Sequence, residues 1–539
     1  MAAEIARATP VAVLEKNLSQ QSVREKPSHG PVELPPIVLD TTLTDLYRQA
    51  SPRLADKRIA HVLSCINAAI DLTPHLPRNK KFVYHDACFN GANRDDDTAA
   101  TGAKFRRKIA IRFLSLIAQR DAFICGPSDA VFFYIGDLPE QMAHDQAQAQ
   151  ETLSILPQHQ RPQVTFCSGP DSIPVKDKGI GLLAYKIALD GLEKHNLSVP
   201  AETHWTLNSK LALATSGLPT PKCELVEPAG FIDEPSACCS SCRDNPAIFP
   251  VPESCDGPRG AWIKEQSKMI CDGLLRKELP FVLKNQQTFG GAGTYIIRTA
   301  EERLQIIKDL QDRGILRKLL SSVTRANAHL RPGTLILSDM VKDPIRDYGL
   351  TFFVNDDGRD PTFLAASEQI TTDQGAWMGS TINFSRQSEL KSRFEPLIKE
   401  ISRWLQSYDY VGPAGADVLE TASSGTRPSQ GEPDFSNYNI VDLNIRTSGS
   451  LCLPMLRSHF TSRGLQCVSS SSVSVRADRK HFINLFAEQF RSGSMCILSW
   501  YEDVESGVSV ADVVIGAKDE AGLEKAMRHM SKITESVTF

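Results

Sequence analysis

The stretch PFVLKNQQTFGGAGTYII, residues 280–297, places Lys284 six residues before the first of three closely spaced glycines. Apolar and β-branched runs flank these glycines, so the pattern predicts a strand, a flexible loop and a returning strand. Glycines let backbone N–H groups approach an anion closely, and a nearby ammonium group adds positive charge. The stretch therefore suits phosphate, although it matches neither the Walker sequence nor the Rossmann fingerprint. A surface hairpin with a solvated lysine is the alternative.

A second polar pattern follows far downstream, where GADVLE (415–420) and NIVDLNIRTSGS (439–450) read as two strands joined by a polar loop. Period-two alternation places Asp442 and Asn444 on one face, with Arg446 continuing it, and strand pairing would bring Asp417 alongside. Carboxylate and amide oxygens suit Mg²⁺ held jointly with substrate phosphates. A half-exposed strand produces the same alternation, but its combination with the glycine hairpin favours a nucleotide site.

The rest of the chain predicts the elements that position these groups. Residues 1–40 are polar and rich in proline, which indicates poor order. In 41–200, strand-like runs such as KFVYH and DAVFFYIGDLP alternate with helical periodicity, which predicts an open α/β domain. Residues 201–460 form the next unit, with a Cys- and Pro-rich insertion at 228–260, and 461–539 form a small C-terminal α/β unit. The polar run 368–384 predicts a substrate-contacting loop, with an ordinary surface loop as the alternative.

Composition excludes several classes of protein. With 539 residues, 41% hydrophobic and 23% charged, the chain is globular and long enough for several domains. Its formal net charge of −4 gives no basic footprint for nucleic acid or anionic membranes. No run approaches the ~20 apolar residues that span a bilayer, and the N-terminus lacks a secretory pattern. Thirteen scattered cysteines fit a reducing compartment, so we expect a cytoplasmic protein.

Four of these cysteines cluster in the insertion, as Cys238, Cys239, Cys242 and Cys255. A C-x-x-C pair followed by a further cysteine is compatible with structural zinc. A second C-x-x-C or C-x-x-H pair is missing, so the sequence favours a loop of free thiols. Structural zinc and redox chemistry are the alternatives.

Five segments in order resemble ATP-grasp carboxylate–amine ligases over about residues 200–455. They are LNSKLALATSGLPTP, PFVLKNQQTFGGAGT, LILSDMVKDPIRDYGLTFFV, VGPAGADVLE and DLNIRTSGS. The resemblance implies a pre-ATP-grasp α/β domain, a two-lobed ATP-grasp domain and the small C-terminal unit. It implies ATP and Mg²⁺ as cofactors, with Mn²⁺ as an alternative metal.

The resemblance also assigns roles to individual residues. For ATP it implies phosphate binding by Lys210 and Lys284, a covering loop of Gly290, Gly291 and Gly293, adenine contacts from Asp339, Met340 and Val341, and a ribose contact from Asp347. For the reaction it implies metal ligands Asp417, Asp442 and Asn444, catalytic Arg446 and Lys284, and substrate contacts from Arg446, Ser448 and Gly449.

The implied activity is amide-bond formation between a small-molecule carboxylate and an amine through an acylphosphate. The stretch NIRTSGSLCLPMLRSHF is similar to pheganomycin-type peptide ligases, and the layout is similar to fungal solid-state-culture-specific ATP-grasp proteins of natural-product pathways. The sequence departs from the usual pattern of the family at two places. Asp339 and Asp347 stand where the family usually has the longer Glu, and D-L-N-I-R replaces E-x-N-P-R. A small-molecule kinase and a non-catalytic nucleotide-binding protein are the alternatives, and the sequence leaves a homodimer open.

Overall fold

The computed structural model describes residues 32–63, 79–84, 111–112, 114–136, 138–231, 238–243, 250–288, 293–371, 377–422 and 435–536. Their strands form a parallel four-stranded sheet, an antiparallel four-stranded sheet and an antiparallel nine-stranded sheet. Helices pack against all three, which confirms the predicted mixed α/β class. Of the segment predicted to be poorly ordered, residues 1–31 lie outside the described ranges, whereas Ile37 and Leu39 are buried.

The parallel sheet lies in the N-terminal part of the chain. Its strands are β1 Ile59–Val62, β2 Asp129–Phe133, β3 Gln163–Cys167 and β4 Leu182–Tyr185, in the order β3-β2-β1-β4. Both faces of a parallel sheet need cover, and residues 114–123 and the helix Pro139–Leu153 are among the helices here. The strand predicted in DAVFF is β2, whereas residues 81–84 of KFVYH are not a strand, although Phe82 is fully buried.

The small antiparallel sheet carries the predicted hairpin. Its strands are β5 Cys223–Val226, β6 Phe281–Asn285, β7 Thr294–Ile297 and β8 Leu335–Asp339, in the order β5-β8-β6-β7. The strands β6 and β7 pair antiparallel, as predicted. The helices Pro258–Arg276, Ala300–Asp312 and Ile315–Ser321 share its apolar core, and a capping box at Thr299 begins the second of them.

The large sheet runs through the C-terminal half of the chain in the order β13-β12-β9-β10-β11-β14-β16-β15, with β17 beside β14. The strands are β9 Arg346–Val354, β10 Thr362–Thr371, β11 Trp377–Asn383, β12 Gly412–Glu420, β13 Tyr438–Asn444, β14 Cys467–Val475, β15 Met495–Asp503, β16 Val508–Ala517 and β17 Glu535–Ser536. Because β11 pairs with β14, the sheet continues across the predicted boundary at residue 461.

One prediction fails in this sheet. The run 368–384, predicted as a loop, consists mainly of the paired strands β10 and β11, with residues 372–376 outside the described ranges. Gln369 and Ser380, two of the polar side chains that suggested a loop, lie on the open face of the sheet. The other face is apolar, and the helix Gln387–Gln406 buries Phe394, Leu397 and Ile401 against it.

Shorter helices complete the described part of the chain. They are Leu43–Ala50, Ala201–Leu207, Lys210–Thr215, Ser240–Arg243, Cys452–Met455, Arg457–Thr461, Arg479–Leu485, Ala487–Ser492 and Glu520–Met530. Within the described residues, we find no helix with the length and apolar character that crossing a membrane requires.

Candidate functional site

Three hard-ligand side chains meet on the open face of the large sheet. Asp417 of β12 lies directly opposite Asp442 of β13, and Gly415 lies opposite Asn444. The Asn444 side chain donates a hydrogen bond from Nδ2 to Asp417 Oδ2 at 3.4 Å. The pairing therefore brings Asp417, Asp442 and Asn444 together, as strand alternation predicted.

Two lysines reach this strand pair from different elements. Lys210 is the first residue of a short helix whose N-cap, Ser209, accepts a hydrogen bond from the Ala212 N–H. Its side chain is 7% exposed, and its ammonium group forms an ion pair with Asp442 Oδ1. Lys284 extends from β6 of the small sheet and donates to the Val441 carbonyl at 2.7 Å. Two positive charges and two carboxyl groups thus converge between the two antiparallel sheets.

The two carboxyl groups have different electrostatic environments. Burial, together with the nearby Asp442 and Asp347, raises the pKa of Asp417 to about 7 against the opposing effect of Lys210 and Arg446. Burial also raises the pKa of Asp442, but Lys210, Lys284 and Arg446 together outweigh it, so that this pKa lies below its usual value. Asp442 is therefore already charged and paired, whereas Asp417 needs an additional positive charge to ionise fully.

The pKa of Lys284 is lowered by its surroundings, whereas that of Asp417 is raised. Burial lowers the pKa of its ammonium group, and Lys210 lowers it further, while Asp442 raises it. Both lysines therefore depend on the carboxylates of the large sheet for charge compensation. Phosphate oxygens are anionic and could take over that compensation.

Gln369 is part of this network and was missed in the sequence because it was assigned to a loop. From β10 it donates Nε2 to Asp417 Oδ1 at 3.1 Å, and its Oε1 accepts from Ser380 Oγ at 3.1 Å. The strand β9 lies between β10 and β12, and Gly349 stands opposite Asp417. A Cβ at Gly349 would overlap Gln369 Nε2. A glycine inside the strand pattern RDYGLTFFV was the available signal.

Arg446 is held by a second residue that the sequence did not single out. Asn208 Oδ1 accepts hydrogen bonds from Arg446 Nη1 at 2.8 Å and from the Ile445 N–H at 3.0 Å. Asn208 Nδ2 donates to the Ile445 carbonyl at 3.1 Å. Asn208 lies two residues before Lys210, so one short segment positions both a lysine and the arginine.

The segment after Arg446 is anchored to the parallel-sheet unit. Thr447 Oγ1 donates to Asp121 Oδ2 at 2.7 Å, and Lys186 Nζ donates to the same Asp121 oxygen at 2.6 Å and to the Thr447 carbonyl at 3.0 Å. Further along, the Ser448 and Ser450 hydroxyls lie 3.2 Å apart, and the Gly449 carbonyl accepts from Cys452 Sγ at 3.5 Å. The predicted substrate segment is thereby fixed at Thr447.

Of the residues predicted to contact adenine and ribose, Asp339 lies away from the two lysines. Asp339 ends β8 opposite Phe281, whereas Lys284 lies opposite Ile336, so Asp339 and Lys284 occupy opposite faces of the small sheet. Asp339 instead pairs with Lys277 at 3.0 Å. Met340 and Val341 follow β8 directly. The structure therefore does not bring the Asp339 carboxylate to the lysines.

Asp347, by contrast, lies on the same face of the large sheet as Asp417. It stands opposite Leu419, two residues beyond Asp417. Burial raises its pKa to about 6, and its Oδ1 atom has no hydrogen-bond partner among the described residues. A buried acceptor without a donor suits a ligand hydroxyl group.

Only the last glycine of the predicted phosphate loop can be placed. Gly293 has φ +73°, in the left-handed region, and its carbonyl accepts from the Asn285 N–H at 2.9 Å. Gly290 and Gly291 lie outside the described residues.

Comparison with known proteins gave structural likenesses alone: no protein-family model and no curated protein matches this sequence. An ADP complex of purK, N5-carboxyaminoimidazole ribonucleotide synthetase, is 12% identical over 94% of this chain and 99% of its own, with a TM-score of 0.46. The same synthetase from Thermus thermophilus is 15% identical over 70% of this chain and 89% of its own, with a TM-score of 0.41. Phosphoribosylamine–glycine ligase from Thermotoga maritima is 12% identical over 68% of this chain and 85% of its own, with a TM-score of 0.38. At these values the likeness carries no argument about function, which must rest on the chain's own side chains.

Proposed function

We propose that this chain is an ATP-dependent carboxylate–amine ligase of the ATP-grasp type, working through an acylphosphate. The observation that carries the proposal is the convergence of Lys210 and Lys284, from separate elements, on the pair Asp417 and Asp442. Ammonium groups bind phosphate oxygens, and paired carboxylates bind the metal ion that accompanies ATP. The five sequence segments that resemble these ligases supply the residues of this convergence.

The side chains fit Mg²⁺. Asp417, Asp442 and Asn444 offer only oxygen ligands of the hard type, which Mn²⁺ also accepts. The raised pKa of Asp417 marks a carboxyl group whose charge is not compensated by the protein. When bound there with ATP, Mg²⁺ would neutralise charge on the β- and γ-phosphates.

The chain's own residues would then position the reactants. Lys210 and Lys284 would hold phosphate oxygens, and the loop of Gly290, Gly291 and Gly293 would close over them and exclude water. Met340 and Val341 would offer backbone groups to adenine, with Asp339 beside them. Asp347 would accept from a ribose hydroxyl.

The substrate carboxylate would lie at Arg446, Ser448 and Gly449. Its oxygen forms a bond to the γ-phosphorus while the bond from that phosphorus to the bridging oxygen breaks, and ADP leaves. The amine nitrogen then bonds to the acyl carbon, the carbon–oxygen bond to phosphate breaks, and the nitrogen loses a proton. Arg446, held by Asn208, is placed to stabilise the transferring phosphoryl charge. The resemblance supports a small acid and amine of fungal natural-product biosynthesis as substrates.

Trapping the activated acid tests this proposal. Hydroxylamine converts an acylphosphate into a hydroxamate, so the full chain with MgATP and a panel of carboxylic acids should yield a hydroxamate and equivalent ADP. Asp442→Asn and Lys284→Ala should abolish it. Asp360→Asn, which alters an exposed acid paired with Lys399, is the matched control and should leave the yield unchanged. A stable phosphorylated product without hydroxamate would instead identify a kinase.

Calorimetry with MgATP separates binding from chemistry. Asp442→Asn and Asn444→Ala should each weaken MgATP affinity by at least about tenfold, because the first removes the negative charge of a metal ligand and the second removes a ligand. Unchanged MgATP affinity in both variants would contradict the proposed metal site. It would not distinguish a ligase from a kinase, because both would use the same metal site.

A further inference from the structure

The structure gathers four thiols in the small-sheet lobe, where Cys239, Cys242 and Cys255 pack with its apolar core. The Sγ atoms of Cys238, Cys242 and Cys255 all lie within 4.8 Å of one another. The Sγ atom of Cys239 lies 3.4 Å from that of Cys242 and also contacts the Cys255 thiol. Three soft ligands from two separate segments therefore meet at one point, and the Cys239 thiol lies beside them.

These distances are close to those of a metal-bound thiolate cluster. With Zn–S bonds of about 2.3 Å, tetrahedral geometry places sulfur atoms roughly 3.8 Å apart. The sulfur atoms of Cys238, Cys242 and Cys255 would therefore approach one another by at most about 1 Å, and the Cys239 sulfur would move toward them to complete the tetrahedron. Oxygen-preferring ions do not choose four sulfur ligands, whereas zinc does.

Burial raises the pKa of the Cys238 and Cys242 thiols, but two features of the surroundings favour negative charge on sulfur. Backbone N–H groups of Cys239 and Gly257 donate to the Cys255 sulfur. The Arg259 guanidinium acts favourably on the Cys238 thiolate, and it is fixed by hydrogen bonds to the Ser321 carbonyl at 3.1 Å and the Val323 carbonyl at 2.9 Å. Such donors stabilise a cluster of four thiolates, whose charge exceeds that of one divalent ion.

A simple redox pair explains the arrangement less well. A disulfide uses two sulfur atoms and would leave two thiols of the cluster without a role. Cys255 is 1% exposed, so an exchange partner has little access to it. All cysteines in the described part of the chain are free thiols.

We propose that Cys238, Cys239, Cys242 and Cys255 together bind one Zn²⁺ ion in a closed, structural site. The ion would join the 238–242 segment to the start of the helix Pro258–Arg276, whose N-cap is Gly257. That helix shares its apolar core with Phe281 and Leu283 of β6, the strand that carries Lys284. The site would thus fix the insertion to the lobe that holds a phosphate-binding lysine.

Metal analysis of the full chain tests the site. Protein purified under reducing conditions without chelator, then supplied with ZnCl₂ and desalted, should retain about one zinc per chain. Cys242→Ser should lose it. The matched control is Cys223→Ser, which alters a half-buried thiol of the same lobe outside the cluster and should retain zinc. Equal zinc content in wild type and Cys242→Ser, or none in either, would overturn the site.

Cobalt substitution gives a readout that needs no variant. Wild-type protein loaded with Co²⁺ should show thiolate-to-metal charge transfer and the intense ligand-field bands of tetrahedral sulfur coordination. Addition of Zn²⁺ should remove both, and chelation of the zinc should lower Tm reversibly. Absence of the cobalt bands, or a disulfide within the cluster in reduced protein, would overturn the proposal even if Cys242→Ser failed to fold.

Discussion

Two buried groups of lysine and acid differ in one property. Around Thr447, Lys186 and Asp121 are paired at 2.6 Å, with their side chains 5% and 1% exposed. At β12 and β13, Lys210 pairs with Asp442, and the neighbouring Asp417 has no lysine or arginine of its own at ion-pair distance among the described residues. In the first group the acid is paired with its lysine, whereas the second contains a carboxyl group, that of Asp417, without an ion-pair partner of its own.

The difference separates a structural role from a binding role. A buried ion pair with additional hydrogen bonds holds its segments in place, and breaking it leaves an uncompensated charge. A buried acid without an ion-pair partner of its own costs folding free energy until a ligand supplies the missing positive charge. We therefore expect substitutions in the two groups to move stability in opposite directions.

The largest effect is expected at the pair of Lys186 and Asp121. Asp121→Ala leaves the Lys186 ammonium buried without its carboxylate, which should lower the free energy of unfolding by about 3–5 kcal/mol. Urea denaturation measures it, with Asp360→Asn as a control in an exposed pair worth less than about 1 kcal/mol. If Asp121→Ala lowered the free energy of unfolding by less than Asp360→Asn does, the pair of Lys186 and Asp121 would not have the structural role described.

In the second group, stability should rise. Without metal at pH 8, Asp417→Asn removes a carboxyl group that must ionise against its surroundings, a gain of up to about 4 kcal/mol. The same variant should lose the increase in Tm that MgATP gives the wild type. A variant that is less stable than wild type, yet still stabilised by MgATP, would remove Asp417 from the proposed metal site.

Asp145 is a further buried acid, and it belongs to neither of the two groups. Burial raises the pKa of Asp145 to about 6, against a small opposing effect of His144, and its Oδ1 has no hydrogen-bond partner among the described residues. Between about pH 4 and pH 6 the folded state binds more protons than the unfolded state, so stability falls as pH rises. Ionisation of Asp145 also opposes that of Tyr501, whose pKa is raised mainly by burial.

Asp145→Asn should therefore stabilise the protein only above this window. We expect up to about 3 kcal/mol at pH 7.5 and no gain at pH 4. Denaturant titration of both proteins at the two pH values measures the difference. An equal gain at both would show that ionisation of Asp145 is not the cause.

The smallest effect is expected at the hydrogen bond that orients Asp417. Gln369→Ala removes the donor to Asp417 Oδ1 and should weaken MgATP binding by about 1 kcal/mol. Gly349→Ala should act similarly, because its Cβ displaces the same amide. A double-mutant cycle measures their coupling, and the second substitution should add little to the first. Fully additive effects would mean that Gly349 does not act through Gln369.

Local sequence patterns determined much of the candidate site. The hairpin around Lys284 and the shared face of Asp442 and Asn444 follow from glycine position and from period-two alternation, which depend only on neighbouring residues. Alternating strand and helix patterns predicted the α/β character of residues 41–200, and the structure shows a parallel sheet there. Where composition replaced periodicity, at 368–384, the prediction of a loop was wrong.

The tertiary structure alone decided which distant groups meet. Gln369 reaches Asp417 because β9 separates their strands and presents Gly349 between them, and Asn208 reaches Arg446 across more than 200 residues of sequence. The opposite placement of Asp339 and Lys284 depends on the register of β6 and β8. Strand order and register are set by packing between segments far apart in the chain, so no local pattern of residues encodes them.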